Sequence, residues 1–131
     1  MRRILLMMLL AVSGSDAMAD WVKVGSNESD TLFADPTTII KTANKVKIQT
    51  LYNFKAPLKT GSGTCLSAVA QIEYDCSTKQ SRTLFFAFHS KSMGKGAKIF
   101  LDHETRQWEP ARPGSTRETF WRFTCEKSLG K

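Results

Sequence analysis

The sequence is poor in the residues and motifs that mark an enzyme, with only two histidines in 131 residues. His89 ends an apolar stretch, and His103 lies between Asp102 and Glu104. Adjacent residues on a turn seldom converge on one metal ion, so we expect no metal site there. No phosphate-binding loop and no nucleophile elbow is present. We therefore predict a protein without catalytic activity and without a cofactor.

Long apolar runs are also missing, as no stretch of 18 apolar residues occurs. This excludes a membrane-spanning helix. No internal repeat or low-complexity tract is visible, and with 24% charged and 10% aromatic residues the chain is not of the disordered class. Its length is typical of one domain.

The first residues are typical of a secretory signal peptide. Two arginines precede an unbroken apolar run over residues 4–12, which is too short to span a bilayer. Ala17 and Ala19 supply the small residues that a signal peptidase accepts. We expect a signal peptide over 1–19, cleavage before Asp20 and a mature domain over 20–131. No cysteine lies near the cleavage point, so the usual bacterial lipid anchor is not expected, and the protein is predicted to be exported to the periplasm or the cell surface.

Alternating apolar and polar residues predict a sheet. Residues 45–54 place Val46, Ile48 and Thr50 on one face, which is the period-2 pattern of a half-buried strand. We predict an α+β fold in which an antiparallel sheet of about five or six strands packs against one C-terminal helix. Further strands are expected at 21–24, 31–34, 66–76 and 83–89, with a turn at Asp35-Pro36 and a loop or hairpin connection over 56–63. The segments 97–101 and 106–109 are candidates for two more strands joined by a polar hairpin.

The stretch 83–89 is apolar on both faces, which indicates a central strand covered on both sides. A helix would cover one side, and a second subunit is one candidate for the other. A homodimer is therefore among the expected assemblies.

The C-terminal helix has a clear start signal. Ser115 and Glu118 form a capping box, with a Ser N-cap and a Glu three residues later. The helix is expected to run to about Lys127 and to pack its aromatic side, which includes Phe120 and Phe123, on the sheet.

Three cysteines remain in the mature chain, and export would let disulfides persist. Cys76 ends a predicted strand on its apolar face, and Cys125 lies on the apolar side of the helix. Cys65 and Cys76 are 11 residues apart on one predicted strand, which keeps them too far apart to bond. We predict a Cys76–Cys125 bridge, with Cys65 as a free or an intermolecular thiol.

Positive charge predominates, with a formal net charge of +7. The stretch 36–72 has five lysines and no acidic residue. Such a surface could bind a polyanion such as heparin or an acidic protein segment, or it could be the solvated edge of a sheet, where lysines discourage aggregation. The candidate anionic-ligand surface consists of Lys41, Lys45, Lys47, Lys55 and Lys59. Nucleic acid is not an expected partner.

A second candidate site is the loop over 90–96. It contains Met93-Gly94-Lys95-Gly96 between two predicted strands. We regard it as a possible recognition loop for another protein of the cell envelope.

The order of several motifs resembles the bacterial surface-adhesin protein E family. These motifs include Glu73-Tyr74-Asp75-Cys76, Met93-Gly94-Lys95-Gly96, Pro113-Gly114-Ser115 and a terminal helix containing Cys125. The resemblance covers about residues 21–127. It implies a small α+β domain with an antiparallel sheet and one main helix, a cell-envelope location, and binding of extracellular-matrix proteins such as vitronectin and laminin. The alternative hypothesis is a soluble periplasmic interaction module or inhibitor that recognises an envelope protein.

Overall fold

The computed structural model describes residues 19–130, so the signal-peptide prediction falls almost wholly outside the described residues. The described chain forms one antiparallel sheet and one C-terminal helix. This confirms the predicted α+β class and the single packed unit. The elements are β1 (Val22–Ser26), β2 (Asp30–Thr42), β3 (Lys45–Thr60), β4 (Gly63–Asp75), β5 (Gln80–His89), a 3-10 turn (Ser92–Gly94), β6 (Lys98–Asp102), β7 (Glu109–Pro110) and α1 (Thr116–Gly130).

Strands β1 to β6 follow one another across the sheet in chain order, and each is antiparallel to its neighbour. The short β7 pairs with Gln80 and Ser81 of β5, on the edge of β5 that also pairs with β6. The predicted hairpin between the sixth and seventh strands is therefore wrong. The second of these segments returns to the start of β5 instead, because hydrogen bonds from Arg106 to Thr83 and from Ala111 to Lys79 hold the chain there.

The predicted break at Asp35-Pro36 is also wrong, because β2 continues through it. β2 passes through Pro36 with a register shift between Asp35 and Ile40. The Asp35 carboxylate accepts the backbone N–H of Thr37 at 3.0 Å, and this local bond bends the chain without ending the strand. The connection predicted over 56–63 is a hairpin and not a longer loop: β3 runs on to Thr60 with a register shift, and residues 61–62 turn the chain into β4.

Helix α1 packs on one face of the sheet, which we call the helix face. The core there joins Ile48, Ala70 and Ile72 of the sheet to Phe120 and Cys125 of α1. The period-2 pattern of β3 predicted the inward position of Ile48, and the apolar side of the predicted helix gave those of Phe120 and Cys125. Each completely buried aliphatic or aromatic side chain contributes about 1.5–3 kcal/mol by leaving water.

The helix begins as the capping box predicts, with one difference. The backbone N–H of Glu118 donates to Ser115 Oγ at 3.1 Å. The Glu118 carboxylate, however, accepts the N–H of Gly114 at 2.9 Å and Lys79 Nζ at 2.8 Å. The bond from Lys79 is the main cause that lowers the pKa of Glu118. The cap therefore also ties the helix start to the turn before β5.

A disulfide joins Cys76, just after β4, to Cys125 of α1, with Cα atoms 5.7 Å apart. The predicted bridge is thereby confirmed. Cys65 is unpaired and completely buried on the sheet face opposite α1. A thiol in this position cannot reach a second chain without local opening, so the geometry favours the free thiol over the intermolecular bridge.

Candidate functional site

The loop over 90–96 lies across the sheet face opposite α1, which we call the distal face. The backbone N–H of Met93 donates to Asn53 Oδ1 at 2.8 Å, and that of Gly94 donates to Ser67 Oγ at 2.9 Å. Ser67 in turn donates to the carbonyl of Lys91 at 2.6 Å. These bonds attach the loop to the middle of β3 and β4, so the loop covers part of the sheet and does not project as a free hairpin.

Two glycines let the loop approach this closely. Gly94 has φ +71°, and a Cβ there would lie 2.9 Å from Val69 Cγ2. Gly96 has φ +78°, and a Cβ there would clash with Ser90 Oγ. Both positions need glycine for its positive φ and its missing side chain. Met93 also has a positive φ of 58°, which costs a non-glycine residue roughly 1–2 kcal/mol. A loop held in such a conformation is fixed before any ligand arrives.

Beside this loop the distal face has a concave site of about 590 Å³, which we call the distal pocket. Its floor is the apolar surface of β4, β5 and β6, formed by Val69, Phe85, Ala87 and Leu101. A pocket of this size falls within the range of ligand sites, which typically combine an apolar floor with a few polar groups.

The polar groups of the distal pocket come from its rim. Lys95 and Lys98 line it, together with His89 and with Trp21 just before β1. Lys91 lies in the same loop, and its Cγ is 2.8 Å from where a Gly96 Cβ would be. The three lysines are exposed, and no carboxylate of residues 19–130 is within 4.0 Å of their ammonium groups. The rim therefore presents unpaired positive charge.

His89 adds a neutral polar group to the pocket. Burial is the main cause that lowers its pKa, and the charge of Lys98 lowers it further against an opposing hydrogen bond with the Gly96 backbone. The ring is therefore uncharged at neutral pH. Its Nδ1 is buried and has no hydrogen-bond partner among the described residues.

The lysines of the candidate anionic-ligand surface are spread along the whole of β3 and the end of β2. Lys45 lies 3.7 Å from Asp75 Oδ2 and its ammonium lies over the Trp108 ring. Lys55 Nζ donates to Ser26 Oγ at 3.0 Å and to the carbonyl of Asn27 at 2.6 Å. These two lysines are already partnered.

The other three lysines of this set do not complete a single patch, although Lys47 lies two positions from Lys45 on the distal face. Lys47 pairs across the sheet with Glu73 and shares the distal face with it. Lys41 pairs with Val46, so it lies on the helix face, and Lys59 lies at the far end of β3. The structure does not bring the five lysines together, whereas it places Lys95 of the loop and Lys98 of β6 in the lining of one pocket, with Lys91 in the same loop.

Glu73 and Asp102, two acidic side chains that could act in catalysis or metal binding, are held in ion pairs. Arg82 contacts Glu73 at 2.8 Å, and Arg106 contacts Asp102 at 2.6 Å. Within residues 19–130, no group of three metal-ligating side chains comes together. The His103 ring lies 6.1 Å from the Phe85 ring, tilted by 49°.

A second cavity of about 400 Å³ lies between the start of α1 and the sheet. It is lined by Tyr52, Tyr74, Ser81 and Arg117. Burial raises the pKa of Tyr52 to about 12 and raises the pKa of Tyr74 well above its usual value, so both phenols stay protonated. Arg117 donates to Ser81 Oγ at 2.8 Å, which engages its charge inside the protein.

Sequence reasoning found the loop but not the pocket. The apolar stretch 83–89 indicates that β5 is buried on both faces. No pattern in the sequence of the loop, however, indicates that the loop folds over Val69, Phe85 and Ala87. Trp21 gave no signal beyond the hydrophobicity of an edge strand.

The sequence model described as Surface-adhesin protein E matches residues 21–126. The chain belongs to the surface-adhesin protein E family. The match spans every element of the sheet and most of α1, which confirms the resemblance seen in the sequence motifs.

Solved structures of protein E from Haemophilus influenzae share the surface-adhesin protein E fold with this chain. Crystal form II superposes with a TM-score of 0.69 at 14% identity, covering 89% of this chain and 94% of that one. A second structure gives 0.68 at 12% identity, with 89% and 92% covered. Protein E from a non-typeable strain gives 0.64 at 13% identity, with 86% and 79% covered. No curated protein sequence gives a significant match.

No helix within residues 19–130 is long and apolar enough to cross a membrane.

Proposed function

We propose that this chain is an exported, non-enzymatic binding protein of the bacterial cell envelope, and that its distal pocket binds an acidic segment of an extracellular-matrix protein. The observation that carries the proposal is the apolar floor of the distal pocket, beside which Lys91 and Lys95 of the preorganised loop and Lys98 of β6 have no carboxylate partner among residues 19–130. Membership of a surface-adhesin family supports a protein as the ligand.

The chemistry of the pocket favours an acidic peptide segment over a simple polyanion. Lys91, Lys95 and Lys98 would attract carboxylates, and positive charge without local partners gives long-range steering. The floor of Val69, Phe85 and other apolar side chains would bury an apolar side chain of the same segment. A sulfated polysaccharide would use the lysines only and would leave the floor uncovered.

Charge reversal at Lys91, Lys95 and Lys98 should weaken this binding strongly. We expect the triple variant Lys91→Glu, Lys95→Glu and Lys98→Glu to bind immobilised vitronectin and laminin at least about tenfold more weakly than the unmodified domain, since each reversal replaces attraction by repulsion. The measurement is biolayer interferometry at low salt and at physiological salt, because screening should weaken the unmodified complex.

The matched control changes the net charge equally at other exposed lysines: Lys41→Glu, Lys59→Glu and Lys127→Glu. We expect it to retain nearly full affinity. If the candidate anionic-ligand surface on β2 and β3 were the binding site, the control triple would lose affinity and the Lys91, Lys95 and Lys98 triple would keep it. Equal losses in both triples would mean that only net charge matters, and binding to neither matrix protein would remove the proposed ligand class.

Export and location need a separate experiment. Residues 1–19 are proposed to direct export, and the family supports a surface position. Protease treatment of intact cells should therefore remove the mature protein while a periplasmic marker survives. Protection equal to that of the marker would favour the alternative, a periplasmic interaction module that offers the same loop to an envelope protein.

The homodimer stays a prediction. The apolar surface left uncovered is on the helix face, and not on the opposite face that the sequence pattern indicated: α1 leaves a groove there of about 260 Å³ that includes Phe54, Phe86 and Phe88. Phe100 stacks on this cluster and is 44% exposed. A second subunit could cover these rings, and light scattering of the purified mature domain would give its mass in solution.

A further inference from the structure

Asp35 is a buried carboxylate without a side-chain cation among the described residues. It is 4% exposed, at the bend within β2. One oxygen, Oδ1, accepts the N–H of Thr37 at 3.0 Å and its hydroxyl at 2.5 Å. Among residues 19–130, no lysine, arginine or histidine nitrogen lies within 4.0 Å of this carboxylate. Buried carboxylates are normally paired with a cation, since burial of an unpaired charge is costly.

The other oxygen of Asp35 points to the start of the described chain. Its Oδ2 accepts the backbone N–H of Asp20 at 3.1 Å. Asp20 is the residue that the small-residue pattern Ala17-Met18-Ala19 predicts to become the first of the mature chain. The backbone nitrogen that donates to Asp35 Oδ2 is therefore the one that signal-peptide cleavage would convert from an amide into the N-terminal amine.

Cleavage changes the charge of this nitrogen. Signal peptidase hydrolyses the bond between Ala19 and Asp20 with one water, whose hydroxyl goes to the Ala19 carbonyl and whose hydrogen goes to the Asp20 nitrogen. The amine then takes a proton from solvent, because an α-amino group has a pKa of about 7.7–8.0 and is charged at and below neutral pH. An amide hydrogen bond thereby becomes an ion pair without movement of the backbone.

We propose that Asp35 is the docking site for the chain's own processed α-ammonium group, so that removal of the signal peptide completes the fold. This inference rests on the export step of the proposed function. It also links processing to the distal pocket: Ala19 and Trp21 both line that pocket, and they flank Asp20. Cleavage removes the first of them and anchors the second.

The test compares two N-termini in two backgrounds. The mature domain is released from a fusion partner so that it begins either at Asp20 or at Ala17, which keeps three residues of the leader. We expect the longer form to unfold at a temperature about 5–10 °C lower than the form that begins at Asp20. In the Asp35→Asn background the two forms should unfold at nearly the same temperature, because the partner of the ammonium is missing. Equal effects of the extension in both backgrounds, or none in the unmodified domain, would overturn the proposal.

A second measurement covers the case in which Asp35→Asn does not fold. Acetylation of the Asp20 amine by a water-soluble active ester, followed by mass spectrometry, should be at least about tenfold slower in the folded domain than in a peptide of the same first residues. Equal rates would contradict docking. The intact mass of the exported protein tests the cleavage position, and a first residue other than Asp20 would also overturn the proposal. Matrix binding is measured independently, so the two proposals can fail separately.

Discussion

Removal of the disulfide by the double substitution Cys76→Ala and Cys125→Ala should lower the free energy of unfolding by roughly 4 kcal/mol. The bridge closes a segment with a sequence separation of 49 residues, and in the chain-entropy view the loss of this closure releases many conformations in the unfolded state. The measurement is urea unfolding at equilibrium, with the midpoint and slope compared.

Cys65 provides the control. Cys65→Ala removes a buried thiol but leaves the bridge, so it should cost about 1 kcal/mol, and its effect should not change in a reducing buffer. Reduction of the unmodified domain should reproduce most of the loss seen in the double variant. A difference below about 1 kcal/mol between the double variant and the unmodified domain would show that the helix does not depend on its covalent tie.

Truncation of Phe120 to Ala should cost about 3–5 kcal/mol, the second large effect. Phe120 is completely buried between α1 and the sheet, and its ring lies 5.4 Å from that of Tyr52. The loss combines two terms: the hydrophobic free energy of burying the ring, and the cost of the cavity that its removal leaves beside the second cavity at the start of α1. Thermal unfolding with a calorimetric enthalpy would measure it.

Phe123→Ala is the matched control, because it makes the same change three residues further along the same helix. Phe123 is only partly buried and packs at the edge of the core. We expect its cost to be well below that of Phe120→Ala. Equal costs would mean that α1 is rotated relative to the arrangement described here.

The sheet, the helix and the bridge could be predicted because their signals are local. The alternation over Val46, Ile48 and Thr50 sets one face of β3, and Ser115 with Glu118 marks the start of α1. Once both apolar faces are known, Cys76 and Cys125 fall at positions that meet. Each step uses residues within a few positions of one another.

The distal pocket could not be predicted because its contacts are distant in sequence. Met93 bonds to Asn53 over 40 residues, and Ser67 bonds to Lys91 over 24 residues. No periodicity in the loop indicates these partners. The predicted break at Asp35-Pro36 is wrong for a related reason. This pair has the composition of a turn, but β2 pairs with β3 on both sides of it, which keeps the chain in the sheet.

The most direct test of the binding proposal is hydrogen–deuterium exchange of the mature domain, alone and bound to laminin or vitronectin. We expect added protection in peptides that cover residues 90–98 and Trp21, with no change over residues 41–47 and 55–60. Protection confined to the β2 and β3 lysine segments, with the loop unchanged, would contradict the binding proposal.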